Sequence, residues 1–409
     1  MEKVIGKPAF KPLILSSAGM FLDGYSLTII AFAIILINPY FHLSALGSGL
    51  VIGSVVIGSI FGAILIGYTG DLFGRRWVYV ANMAVFAVSG FISAVSLNFW
   101  MLFVSRLIMG VAVGADYPLS NSYIAEIAPR EYRGKYLAFA GVSFGIGSLF
   151  SALVSAALFP FGPEMWRIML GIGIAPAFIV MYLRTTLPES QMWLTARKNK
   201  VPEENIISSV NRIYFKGMFS REHLKNTMLY SIIWFLYDIG AYGVGLLIPM
   251  IFNQTKAISN VENALITSLI LFAGLLSSWG GLLNIDRIGR KGMQIIGLAG
   301  MGASLFFIPH FYFNIEGIII LIFFAEIFNS LASLTVGIFP AELSHTSFRS
   351  SAYGFSAMMG KIGAICGVLL MAFFVKENKN YGFYIMSLIL SIGFILSFFL
   401  PETKDRVLN

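Results

Sequence analysis

GDLFGRR at 70–76 lies between two long apolar runs, and a second version of it, NIDRIGRK, lies at 284–291. Both hold an acid, then a glycine, then a basic pair. Working outward, other landmarks recur at nearly the same displacement. FLDGY at 21–25 is answered by FLYDIGAY at 235–242, AEIAPREYR at 125–133 by AELSHTSFR at 341–349, and LPES at 187–190 by LPET at 400–403. Asp23 and Asp238 are 215 residues apart, as are Asp71 and Asp286, and Arg133 and Arg349 are 216 apart. Four landmarks at a nearly constant offset mean two homologous halves joined in tandem.

The solvent for those halves follows from composition. Mean hydropathy is +0.81 and only 12% of residues are charged, about half the share usual in soluble domains. Runs long enough to cross about 30 Å of hydrocarbon recur along the chain. They predict twelve helical spans near 13–37, 46–69, 77–97, 99–127, 136–159, 166–186, 227–252, 263–284, 292–311, 315–343, 351–375 and 381–400. The expected organisation is an all-α membrane protein with an N-terminal six-helix bundle over 1–186, a cytoplasmic linker over 187–226 and a C-terminal six-helix bundle over 227–409. Parallel repeats of this kind in a membrane chain are the mark of a transporter. The first apolar run is too long for a cleavable signal peptide and follows basic residues. The single cysteine, Cys366, excludes an intrachain disulfide and a cysteine-based metal cluster.

A net charge of +8 invites a nucleic-acid reading, and its distribution rejects it. With residue 1 in the cytoplasm, 22 of the 28 basic residues fall in inside segments and 4 in outside ones. That is the positive-inside bias of a multi-pass cell-membrane protein with both termini cytoplasmic. Nothing in the sequence matches a nucleotide site, a metal site or a nucleophile triad, so neither an enzyme nor an ATP-driven pump is expected, and no cofactor.

Ionisable residues inside spans are functional candidates by default, because a charge in hydrocarbon costs several kcal/mol unless it meets water or a partner. The acids are Asp23, Asp116, Asp238 and Glu326; the bases are Arg106 and Lys361. Trp234, Asp238 and Tyr242 are spaced by four and share one face of the seventh span. That face offers an indole N–H, a carboxylate and a phenol, with Gly240, Gly243 and Gly245 allowing a bend beside it. Tyr117 follows Arg106 by eleven residues and falls on roughly the same face of the fourth span. Pro118 is expected to break the helical ladder just past it.

GYTGDLFGRRW at 67–77, its repeat in the second half, and the RxxxGxxxG pattern of Arg106, Gly110 and Gly114 resemble the major facilitator superfamily. The resemblance covers essentially the whole chain. It implies twelve helices around a central cavity that opens alternately to each side. Physically, Gly70 and Gly74 permit a tight turn, Asp71 accepts from helix N-termini or arginines, and Arg75 and Arg76 can bridge to Glu126. Arg106, Arg133, Asp286, Arg290, Glu342 and Arg349 are expected in the same gating network or its repeat.

GADYPLSNS, WFLYDIGAYG and GFSAMMGKIGAI narrow the resemblance to the phosphate:proton symporters. Carried over motif by motif, it implies Tyr117, Trp234, Asp238, Tyr242 and Lys361 as anion ligands. Lys361 supplies the compensating charge, and Asp238 accepts from a protonated phosphate oxygen. Asp23, Asp116, Asp238 and Glu326 are the candidates for proton coupling. Two amides of that family are missing: Val142 and Ser333 stand at their places, with Glu326 and Asn329 nearby. The rival is a proton-coupled sugar symporter. LPESQMWL at 187–194 and LPETKD at 400–405 are similar to sugar-porter signatures, although Gln191 and Met192 replace their proline and arginine. The expected partners are a small substrate (phosphate, a similar anion or a sugar), protons and the bilayer, with no nucleic acid, and a monomer is expected.

Overall fold

Each half folds into helices because its apolar runs, in hydrocarbon, leave the backbone no hydrogen-bond partner but itself. The structure, a computed structural model, describes residues 10–73, 75–127, 133–187, 219–255, 257–311, 314–344 and 349–404. Among them are fifteen α-helices: α1 Phe10–Phe41, α2 Ala45–Phe73, α3 Arg75–Ala94, α4 Phe99–Ile127, α5 Arg133–Leu158, α6 Met165–Gly171, α7 Ile174–Arg184, α8 Arg221–Gly245, α9 Ile248–Thr255, α10 Asn260–Ile288, α11 Arg290–Phe307, α12 Ile315–Val336, α13 Ile338–Leu343, α14 Arg349–Glu377 and α15 Lys379–Ser397. Eleven stretches are long and apolar enough to cross a membrane, and one bent pair, His223–Gly245 with Ile248–Gln254, makes a twelfth. α8 begins at Arg221, six residues before the predicted span. Most of the predicted linker, 188–218, lies outside the described residues.

The breaks follow from proline. The α8–α9 bend is 44°. Pro249 has no N–H to give the carbonyl of Gly245, four residues back, so the ladder fails where glycines have already softened it. Pro340 does the same to Val336, where α12 gives way to α13. Pro118 behaves otherwise: α4 runs through it to Ile127, so one lost bond does not end the helix. Starts are capped by side chains. Asn98 Oδ1 accepts from the Met101 N–H at 2.9 Å, and Asn314 and Asn378 cap α12 and α15 in the same way.

The chain divides into two compact units, residues 1–200 with 260–268, and 201–259 with 269–409. Inside each, glycines bring helices into backbone contact, which membrane packing favours. Gly58 and Gly62 on α2 face the carbonyls of Leu107 and Val111, while Gly110 and Gly114 on α4 face those of Val55 and Ser59. This is the physical content of the RxxxGxxxG pattern. The repeat is visible as a repeated contact. Gly147 on α5 abuts the Phe21 carbonyl of α1, and Gly363 on α14 abuts the Phe235 carbonyl of α8.

Candidate functional site

The second unit gathers four of the five predicted ligands. α8 and α14 lie close because Gly243, Gly363 and Gly367 carry no side chain at their contact, and Ser231 and Ser356 hydrogen-bond across it at 2.8 Å. That approach puts Gly360 directly under Trp234 and Asp238. The Trp234 indole N–H donates to the Asp238 carboxylate, and Lys361 is close enough to act on that carboxylate electrostatically. Lys361 Nζ donates to Tyr242 Oη at 3.0 Å and stands 4.9 Å from the centroid of the same ring. Asp238 is buried, while Trp234, Tyr242 and Lys361 are half-buried. Tyr353 packs its edge on Trp234, with centroids 5.6 Å apart. A cation, a carboxylate, an indole and a phenol thus lie side by side on two helices.

Beside this group, α12 answers α8 with a second string of polar contacts. Tyr237 Oη donates to Asn329 Oδ1 at 2.8 Å, and Asn329 Nδ2 donates to Glu326 Oε2 at 3.1 Å. Ser333 also hydrogen-bonds Tyr237. Glu326 Oε1 lies against Gly274 of α10. Asn329, expected near the place of a missing amide, is therefore bound to Tyr237 and Glu326. Tyr237 is one residue from Asp238 but on a different face, which is why the four-residue spacing did not select it.

In the first unit the charges are arranged differently. Asp116 is paired with Arg184, with Nη1 to Oδ1 at 2.7 Å and neither side chain exposed. Arg184 Nη2 reaches Oδ2 at 3.2 Å, and Asn82 and Ser120 donate to the same carboxylate at 3.3 and 3.2 Å. The Arg184 guanidinium lies 3.5 Å from the centre of the Tyr79 ring. Arg184, near the cytoplasmic end of the sixth predicted span, was counted among the inside charges, and the structure places it in the core of the bundle. Asp23 is buried on α1, one turn beyond Gly19, whose missing side chain makes room for Asp116 and Arg184. Arg106 is buried and donates to the backbone oxygen of Ser26 on α1 at 2.7 Å, well inside the bundle.

Of the loop network, the second half shows Arg290 Nη2 at 3.4 Å from Glu342 Oε1. Glu402, from the LPET repeat, caps α11. Its carboxylate accepts from the N–H groups of Arg290 and Lys291 at 2.9 and 3.1 Å. It also accepts from those of Thr403 and Lys404 at 2.9 and 3.0 Å. Burial pushes this carboxyl up, but the four N–H bonds outweigh it and hold it below the usual glutamate range. Gly289 makes the turn at φ +85°, a conformation that favours glycine. In the first half, Arg76 donates to the Thr185 carbonyl. The side chains of Tyr117, Asp71, Arg75, Glu126, Arg133, Asp286 and Arg349 lie outside those the structure describes.

Two tandem six-helix bundles, with twelve spans between them, define an all-α membrane protein of the major facilitator fold. By a family match over residues 12–409, the chain belongs to the sugar (and other) transporter family. It is a multi-pass membrane transporter, and that family contains transporters rather than enzymes. The chain is 28% identical to a probable inorganic phosphate transporter of Arabidopsis thaliana (1-9), over 91% of this chain and 85% of that one. It is 24% identical to the inner membrane metabolite transport protein YgcS of Escherichia coli, over 93% and 89%. Among solved structures, the inward-open xylose transporter XylE from E. coli superposes with a TM-score of 0.81 at 21% identity, over 97% of this chain and 98% of that one.

Proposed function

We propose that this transporter imports inorganic phosphate, or a similar small anion, together with protons by alternating access. The observation that carries the reading is the Lys361–Tyr242 contact beside the Trp234–Asp238 pair. A lysine offers charge to an anion, a phenol and an indole offer donors, and a carboxylate takes the O–H of a protonated oxygen. A neutral sugar has no use for the lysine charge. Tyr117 is assigned as a further ligand from its motif. Asp238, Asp23 and Glu326 are the acids assigned to proton handling. The loop charges Asp71, Arg75, Arg76, Glu126 and Arg133, with Asp286, Arg290, Glu342 and Arg349 in the repeat, are assigned to holding the cytoplasmic side closed. The orientation has both termini in the cytoplasm, and the working unit is a monomer. Phosphate transporters among the relatives support the substrate class.

Proton coupling has an energetic reason. A potential of 100 mV, negative inside, opposes entry of one negative charge by about 2.3 kcal/mol. One proton cancels that charge, and a second turns the potential into a driving force. The test is uptake into proteoliposomes, with phosphate, gluconate and xylose as separate substrates and the outside made acidic. Phosphate or gluconate accumulates if the reading holds. Xylose uptake that excess phosphate does not compete would sink it.

A further inference from the structure

A dense buried polar cluster outside the candidate ligands joins α1, α3, α4 and α7 of the first unit. We propose that the Asp116–Arg184 pair is a fixed strut that positions Tyr117, and that Asp116 keeps its charge through the transport cycle instead of carrying a proton. The assignment of Tyr117 rests on the function proposed above.

The carboxylate leaves no room for a proton. Oδ1 accepts from Arg184 at 2.7 Å and from Asn82 at 3.3 Å. Oδ2 accepts from Arg184 and Ser120, each at 3.2 Å. An acid O–H would have to evict one of these donors and find an acceptor, and a charge-assisted pair to a guanidinium is the arrangement that best resists that. Both side chains have no exposure. The groups facing Asp116 are Arg184 from α7, Tyr79 and Asn82 from α3, Ser120 from its own helix, and Asp23 from α1, which acts electrostatically on Arg184. Asp23 is then the acid of this cluster with a role in proton handling.

The strut also holds the turn that carries Tyr117 at both ends. Asp116 is the residue before Tyr117 and is bound to Arg184. Ser120, three residues after it, meets Tyr79 Oη at 2.7 Å and the Ser16 carbonyl at 3.5 Å. Arg184 in turn donates to the carbonyls of Tyr79 and Leu15 at 3.3 and 3.4 Å. Gly19 completes the fit, since a Cβ there strikes both Asp116 and Arg184. The backbone of α4 at Tyr117 is thereby referred to three other helices.

Arg184→Lys, Asp116→Asn, Arg184→Gln and the double variant Asp116→Asn/Arg184→Gln test this in full-length protein. Each single neutralisation strands a buried charge, so the double variant melts at a higher temperature than either single one. Arg184→Lys keeps the charge but loses the bidentate geometry. It raises the KM for phosphate about tenfold, as misplacing a binding group does, and leaves the pH profile of uptake where the parent protein has it. Additive melting losses overturn the strut. A parent-like KM in Arg184→Lys overturns the positioning role. Loss of pH-driven accumulation with counterflow intact makes Asp116 a proton carrier if seen in the double variant, and makes the pair part of the coupling rather than a fixed strut if seen in Arg184→Lys; either result overturns the proposal. If the double variant does not fold, Arg184→Lys decides both points. If the parent protein carries no phosphate but carries xylose, the functional reading fails, and the same comparisons with xylose decide the strut.

Discussion

Gly360→Ala is a one-carbon test of the ligand cluster. A Cβ at this position falls 2.6 Å from Cδ1 and Nε1 of Trp234 and 2.7 Å from Asp238 Oδ2, inside the distance real Cβ atoms keep. The helices cannot part to admit it, because Gly363 and Gly367 clamp α14 onto α8 on one side of it and the Ser231–Ser356 bond on the other. Trp234 cannot withdraw easily, with Tyr353 against its ring. The strain therefore falls on the Trp234–Asp238 hydrogen bond. A bond to a charged group contributes about 1.5–3 kcal/mol, which in a binding constant is about 10- to 150-fold. Against this, alanine in place of a helical glycine gains about 0.5–1 kcal/mol of stability, so the variant folds. Gly354→Ala, which meets nothing within 4 Å on the same helix, receives the gain alone and serves as the control. Phosphate binding to detergent-purified protein, with a thermal melt of each variant, reads out both effects. If Gly360→Ala binds phosphate as tightly as Gly354→Ala does, Trp234 and Asp238 do not form part of the site.

Lys361→Ala is expected to abolish anion binding at a cost above the ~1 kcal/mol of an ordinary hydrogen bond, measured by isothermal titration; parent-like binding would return Lys361 to a structural role. Asp238→Asn is expected to keep counterflow and lose pH-driven accumulation, since the amide keeps the shape without the titrating proton. For Glu402, a carboxyl held below its unfolded range adds stability that is present above that range, about pH 4.3, and is lost as pH falls through the lower folded value. Glu402→Gln is therefore less thermostable than the parent at pH 7, and a pH series of melting temperatures should show the gap closing on strong acidification. Gly110→Leu drives a side chain into the Val55 backbone, and size-exclusion chromatography should show no folded peak.

The fold was legible because its signals are local and doubled. A span is announced by its own twenty residues, and the repeat lets each half check the other. The same spacing that linked the FLDGY and FLYDIGAY segments reappears as the paired contacts of Gly147 with Phe21 and Gly363 with Phe235. The bend after Gly245 was legible from its glycines, and Pro249 completes it. The continuity of α4 through Pro118 was not, because a helix end depends on what its freed carbonyl meets. In the site, Trp234, Asp238 and Tyr242 followed from a four-residue period and Lys361 from its motif. Arg184 escaped because a basic residue at the cytoplasmic end of a span looks like one more topogenic charge. Its acid is 68 residues away, and no periodicity connects two residues on different helices. Tyr237 escaped because it lies on another face of α8 than Asp238; Asn329 was named from its own span, but its bond to Tyr237 across two helices has no periodicity to announce it.

The two units hold their buried charges in different ways, and the difference bears on coupling. Asp116 and Arg184 neutralise each other with donors on both carboxylate oxygens, so on the strut proposal the Asp116 carboxylate has no unmet demand for a proton. Asp238 shares its surroundings with Lys361, which also donates to Tyr242. On the proposed function, an arriving anion competes with Asp238 for the lysine charge. Once the anion has taken it, the carboxylate is left beside a like charge, and protonation is the cheapest way to relieve that. Binding of the anion and uptake of the proton then favour each other by the same free energy, as linkage requires. One lysine and one aspartate then suffice, under the proposed function, for proton-coupled anion symport. Asp238→Asn, which removes the competition, should for the same reason bind the anion without a proton and lose only the ability to concentrate it.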